Sequence, residues 1–125
     1  MNFLVVDDSR MARRRVIDYI EELEMKVIGE AVDGLEAISQ FKLLSPDIIT
    51  LDLEMPNMKG IASAKEILKL DSNVNIILVT SIIDKKELIN ALKIGVKKVL
   101  IKPFTQETFK RTIEELNLNE IEEVQ

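Results

Sequence analysis

Four places in this 125-residue sequence set chemically capable side chains directly behind a short apolar run. Asp7 and Asp8 follow Phe3-Leu4-Val5-Val6, and Asp52 follows Ile48-Ile49-Thr50-Leu51. Thr80 closes the run that starts at Val74, with Ser81 behind it, and Lys102-Pro103 follows Lys98-Val99-Leu100-Ile101. One Asp behind a strand is most often a helix cap or a turn residue. Three carboxylates and an ammonium gathered at one edge call for a stronger explanation. Like charges about 4 Å apart repel by roughly 4 kcal/mol at an effective dielectric near 20, so such a cluster wants a cation. Oxygen ligands without His or Cys favour Mg²⁺, Mn²⁺ or Ca²⁺, and Mg²⁺ typically combines one or two carboxylates with waters and phosphate oxygens. A carboxylate is also a nucleophile toward phosphorus, giving an acyl phosphate. Mg²⁺ and a Lys ammonium neutralise charge on the transferring phosphoryl oxygens, and a strand-end Thr hydroxyl can bond one of them.

The elements that would bring these residues together are legible as a pattern. The four runs above and Lys26-Val27-Ile28 are short, and several are apolar throughout, which points to strands covered on both faces. Between them lie segments with helical spacing. Their expected inner faces are Val16, Ile17, Ile20 and Leu23 in the first helix, and Leu35, Ile38, Phe41 and Leu44 in the second. The third has Ile61, Ala64, Ile67 and Leu68, the fourth Leu88, Ala91, Leu92 and Gly95, and the fifth Phe109, Ile113 and Leu116. Asp84-Lys85-Lys86-Glu87 reads as a capping box for the fourth helix, and Thr105 as the cap of the fifth. Ser45-Pro46, Gly60, Asp71-Ser72-Asn73 and Gly95 break the elements. Five strand–helix repeats predict a single α/β domain over residues 1–125: (βα)5, a doubly wound, parallel, five-stranded sheet. Ligands in such a sheet bind outside the carboxyl ends of the strands, where Asp7, Asp8, Asp52, Thr80 and Lys102 are expected. Residues 117–125 form an acidic end that extends the last helix or frays.

Composition removes other chemistries. There is no Cys and no His, so thiolate or imidazole metal sites, Ser-His-Asp catalysis and an autophosphorylating His are excluded. The formal charge of −5 argues against a nucleic-acid module. Apolar runs fall far short of the ~20 residues of a membrane span. The sequence starts into a strand-like segment without a basic leader, so a cytoplasmic setting is expected.

In this order, Val5-Val6-Asp7-Asp8-Ser9-Arg10, Asp52 with Met55-Pro56 and Gly60, Thr80-Ser81 and Lys102-Pro103-Phe104 resemble the receiver domain of two-component response regulators. The single-domain chemotaxis (CheY-like) members are the nearest likeness. The resemblance covers essentially the whole chain and implies the flavodoxin-like strand order 2-1-3-4-5. It implies that Asp52 is the phosphoacceptor, that Lys102 pairs with the phosphoryl group, and that Thr80 swings inward to bond it. It also implies that Asp7, Asp8, Asp52 and the backbone carbonyl of Glu54 hold Mg²⁺, with Mn²⁺ as a substitute. The Lys102-Pro103 peptide is expected to be cis, which costs an X–Pro bond little. Val99 stands where the family often has an aromatic switch residue, so a smaller loop movement is expected. Ser81 replaces a frequent Ala; both are small. Glu54 and Ile82 occupy positions that tune phosphoryl loss, and bulky Ile82 is expected to shield the acyl phosphate from water.

Two surface features have a plain reading and a functional one. Residues 84–111 carry eight basic and three acidic side chains; this is a solvated face or a docking face for an acidic or amphipathic partner. The resemblance favours docking, on the face formed by the fourth helix, fifth strand and fifth helix. Arg13-Arg14-Arg15 is a solvated cluster or a kinase contact, and Met55 and Met58 pack beside the site loop. The function implied is a phosphorylation-dependent signalling switch with autodephosphorylation and no external metabolic substrate. Its expected partners are a sensor histidine kinase (CheA-like), an output protein (the flagellar motor switch if chemotactic) and a phosphatase, with a monomeric chain and neither nucleic acid nor membrane. The alternatives are a phosphorelay or phosphate-sink receiver, the receiver of a longer transcriptional regulator, and an Asp-nucleophile phosphatase. The last normally has Asp two residues after the nucleophile; here that residue is Glu54.

Overall fold

A computed structural model describes the backbone of residues 1–81 and 84–124, and the side chains of 1–81 and 84–116. Strands and helices alternate: β1 (Asn2–Val6), α1 (Arg10–Glu22), β2 (Lys26–Ala31), α2 (Gly34–Leu44), β3 (Ile48–Asp52), α3 (Gly60–Leu70), β4 (Asn75–Thr80), α4 (Lys85–Ile94), β5 (Lys98–Ile101) and α5 (Gln106–Val124). The strands form one parallel sheet in the order β2-β1-β3-β4-β5. The (βα)5 expectation and its strand order therefore hold.

Alternation along each strand feeds two separate cores. Leu4, Val6, Ile49, Leu51, Ile76 and Leu78 pack under α2, α3 and α4, against Ala37, Phe41, Ala64, Ile67 and Ala91. Phe3, Val5, Ile48, Ile77, Val79 and Leu100 pack under α1 and α5, against Val16, Ile17, Ile20, Phe109, Ile113 and Leu116. The central strands are apolar throughout because both their faces are covered. β2 runs three residues beyond Lys26-Val27-Ile28, since its pairing with β1 continues to Ala31 after a register shift between Phe3 and Leu4.

Helix starts follow their caps. Ser9, Asp33 and Asp84 accept backbone N–H bonds from Ala12, Glu36 and Lys86, and Thr105 accepts one from Thr108. The helix breaks fall where expected: Ser45 and Gly95 end α2 and α4 in the left-handed region (φ 47° and 115°).

Two helix faces differ from the sequence expectation. In α2 the buried positions are Gly34, Ala37 and Phe41, while Leu35 is 53% exposed. Gly34 lies so close to the loop after β3 that a Cβ there would sit 2.7 Å from the Met58 carbonyl oxygen. That close approach fixes the rotation of α2 and turns Leu35 outward. In α4 only Ala91 is buried among the described side chains, and Leu92 faces solvent. A small residue brings this helix against the sheet, which leaves its larger apolar residues near the rim.

Thr50 in β3 is an internal inconsistency of the core. It is 2% exposed, and its hydroxyl has no hydrogen-bond partner among the described residues. A buried hydroxyl without a partner costs roughly 1–3 kcal/mol. Thr50→Val keeps the shape and removes the hydroxyl. We expect it to raise the urea midpoint at unchanged slope, by about 1 kcal/mol of stability; a lower midpoint would show that the hydroxyl is satisfied in solution.

Candidate functional site

The ends of β1, β3, β4 and β5 bring the predicted residues to one edge of the sheet. Ligand oxygens of Asp7, Asp8 and Asp52 all lie within 4.8 Å of one another. Asp7 and Asp52 are buried, and Asp8 is exposed at the rim. The Lys102 ammonium is 2.8 Å from Asp7 Oδ2 and 3.9 Å from Asp52 Oδ2. Thr80 is buried at the end of β4, and its carbonyl accepts the Lys102 N–H at 2.8 Å. The Lys102-Pro103 peptide is cis, as expected.

Asp7 and Asp52 are held by bonds to and from the backbone. Asp7 donates its N–H to the Ala31 carbonyl, and its Oδ1 accepts the Ser9 N–H at 2.9 Å. Arg13 Nη1 donates to the Asp7 carbonyl at 2.8 Å, while its Nε donates to Glu30 at 3.0 Å. Arg13 is therefore a strut for the β1–α1 turn and not a free member of a solvated cluster. Nothing but its position one helical turn behind the acid pair hints at this in the sequence. Asp52 Oδ1 accepts the Glu54 N–H at 3.3 Å. Gly60 is needed where the chain turns back. A Cβ there would lie 2.3 Å from the Asp52 carbonyl oxygen, and its N–H closes the loop onto Leu53.

Electrostatics set the state of Asp52. Burial, then the neighbouring Asp7 charge, raises its pKa from 3.8 to about 6, against the opposing pull of Lys102. Lys102 thus compensates only part of the negative charge. The oxygen-only donor set and the uncompensated carboxylates fit a hard divalent cation, with Asp7, Asp8 and Asp52 as its side-chain ligands. An open cavity of about 470 Å³ adjoins the acids, lined by Asp8, Glu54, Met55, Lys59, Ile61 and Glu87. Glu54 is exposed in that lining, and Ser81 is exposed behind Thr80. Val99 is half-buried and packs against the α2–α4 core layer. Ile82 lies outside the described residues.

The family model for the response regulator receiver domain matches residues 3–114. The chain belongs to the response regulator receiver family. It is similar to the chemotaxis protein CheY of Thermotoga maritima, with 40% identity over 91% of this chain and 92% of that protein. It is also 44% identical, over 80% of its length, to 29% of a protein-glutamate methylesterase/protein-glutamine glutaminase of Bacillus subtilis. Among solved structures, a CheX–CheY–BeF3–Mg²⁺ complex from Borrelia burgdorferi contains a similar fold. The TM-score is 0.90 and the identity 27%, over 93% of this chain and 88% of that one. Receiver domains generally use Mg²⁺ at an acidic pocket of this kind. No described helix is long and apolar enough to cross a membrane.

Asp52 gives this receiver a definite pH signature. Its pKa is higher in the fold than in the unfolded chain, so protonation favours the fold. Its stabilising effect is complete below about pH 4 and is lost as pH rises through about 6. Without metal, Asp52→Asn should therefore be more stable than wild type near pH 8, by on the order of 2 kcal/mol, with the gap closing near pH 4. Urea unfolding at both pH values in EDTA measures this; an Asn variant no more stable near pH 8 contradicts it.

Proposed function

We propose that this receiver is a phosphorylation-dependent signalling switch in which Asp52 accepts the phosphoryl group. The observation that carries the reading is the convergence of Asp7, Asp8, Asp52 and Lys102 at one strand edge, with Asp52 partly uncompensated. A carboxylate oxygen of Asp52 attacks phosphorus, the bond from phosphorus to the donor's imidazole nitrogen or acyl oxygen breaks, and the donor leaves with that electron pair. Asp7, Asp8, Asp52 and the Glu54 carbonyl would hold Mg²⁺, or Mn²⁺ in its place, and the bound ion would screen charge on the transferring oxygens. Lys102 moves its ammonium from Asp7 onto the phosphoryl group. Thr80, the last residue of β4, turns its hydroxyl to the same group and draws the β4–α4 connection with it. Ser81 is small enough to leave access open, and Glu54 and Ile82 govern water entry. Val99 stays packed in the core, so the movement is confined to the loop end.

The output face is α4-β5-α5. It carries Lys85, Lys86, Lys93, Lys97, Lys98, Lys110 and Arg111, with Ile89 and Leu92 about half-exposed. Basic charge around exposed apolar side chains suits an acidic amphipathic partner. A phosphoryl group adds about −1.5 to −2 charge at the site, enough to bias a two-state loop beside this face. The donor is a CheA-like sensor histidine kinase, and the setting is the cytoplasm, with a monomeric chain. Likeness to chemotaxis proteins favours the flagellar motor switch as target, with a phosphatase ending the signal. A second reading is a receiver serving a larger regulator, supported by the likeness to part of a methylesterase.

Intact mass after incubation with acetyl phosphate tests the chemistry. We expect one labile phosphoryl group that requires Mg²⁺ and is absent from Asp52→Asn. A stable adduct, or one retained by the variant, would overturn the assignment of Asp52.

A further inference from the structure

The loop between β3 and α3, residues 53–59, leaves the site and must return to α3. Its near end is held by the Glu54 N–H on Asp52, and its far end by the Gly60 N–H on the Leu53 carbonyl. The middle is held from elsewhere. Asn57 adopts a left-handed conformation (φ 70°), and its Nδ2 donates to Asp33 Oδ2 at 2.8 Å. Asp33 is the N-cap of α2, and its other oxygen takes the Glu36 N–H at 2.8 Å. One carboxylate thus caps a helix with one oxygen and grips the loop with the other. Hydrogen bonds from Glu36 and Asn57 hold the Asp33 carboxyl below its usual pKa, so it stays charged and able to accept both. Beside it, Gly34 lies flush against the Met58 backbone, and the buried Ser63 hydroxyl of α3 donates to the Gly34 carbonyl at 3.0 Å. The start of α2, the loop and α3 therefore meet at one joint. The joint does not include Asp7, Asp8 or Lys102.

We propose that the Asn57–Asp33 pair is a positioning contact for the divalent-cation site, holding the β3–α3 loop, and with it the Glu54 carbonyl, in the conformation that binds the cation. The inference rests on the proposed Mg²⁺ role of that carbonyl. Without the pair, the loop samples other conformations. The apparent affinity then falls in proportion to the fraction of molecules whose loop remains competent.

The test is a Mg²⁺ titration of the unphosphorylated protein, followed by amide NMR shifts, with thermal unfolding in EDTA as a control for folding. Asn57→Gly keeps the left-handed backbone and removes the bond. Asp33→Ser keeps a helix cap but is too short to reach Asn57. Each should weaken Mg²⁺ binding about fivefold, the order expected for one hydrogen bond. The double variant should be no weaker than either single one. Asp33→Asn should bind within about twofold of wild type, because Asn caps as well as Asp and Asn57 can flip its amide to meet it. Wild-type affinity in Asn57→Gly and Asp33→Ser would overturn the proposal. So would additive losses in the double variant, or Asp33→Asn as weak as Asp33→Ser. A wild-type protein that takes no Mg²⁺ would instead bring down the reading of the site itself, and this inference with it.

Discussion

The crowding of carboxylates at the end of a buried sheet is the constraint on which the rest of this molecule turns. Asp7 and Asp52 are buried carboxylates, and burying a charge costs stability unless it is paired and hydrogen-bonded. Lys102 touches one and stands 3.9 Å from the other, and burial followed by the Asp7 charge pushes the pKa of Asp52 up to about 6 against its pull. A group placed against its own electrostatic preference needs firm support. Here the support is backbone bonding: Arg13 on the Asp7 carbonyl, Ser9 on its carboxylate, and Gly60 closing the loop behind Asp52. The apolar core supplies the stability from which this local strain of charge is drawn.

The fold was legible because its strands end where their chemistry begins. Runs such as Ile48-Ile49-Thr50-Leu51 can sit only between two helical layers, and the charged residue behind each run marks the edge of the core. Helix faces were less legible. Periodicity offered Leu35 and Leu92 as core residues beside Ala91; the structure buries Ala91 and the unforeseen Ala37, and leaves both leucines about half-exposed. Where a helix presses close to a sheet, the small residues set the contact and the large ones ride outside, a distinction that hydropathy does not carry.

The site divides in the same way. Asp7, Asp8, Asp52, Thr80 and Lys102 could be found because each stands at a strand end. The residues that hold them could not. Arg13 looked like one of three equivalent arginines, yet it is largely buried against Asp7 and Glu30, while Arg14 pairs with Asp18 on the surface. Asn57 and Asp33 are 24 positions apart, and only the folded chain shows them as partners. Support of this kind depends on tertiary proximity, for which one sequence has no periodic sign.

The two core layers touch the same sheet from opposite sides and share no side chains. Their residues alternate along the same strands, Ile48 beside Ile49 and Ile77 beside Leu78, so the backbone joins the two layers directly. A substitution under α1 or α5 that shifts a strand therefore also shifts the residues packed under α2, α3 and α4. The proposed output face takes α4 from one layer and α5 from the other, so a partner docked there touches both halves of the molecule.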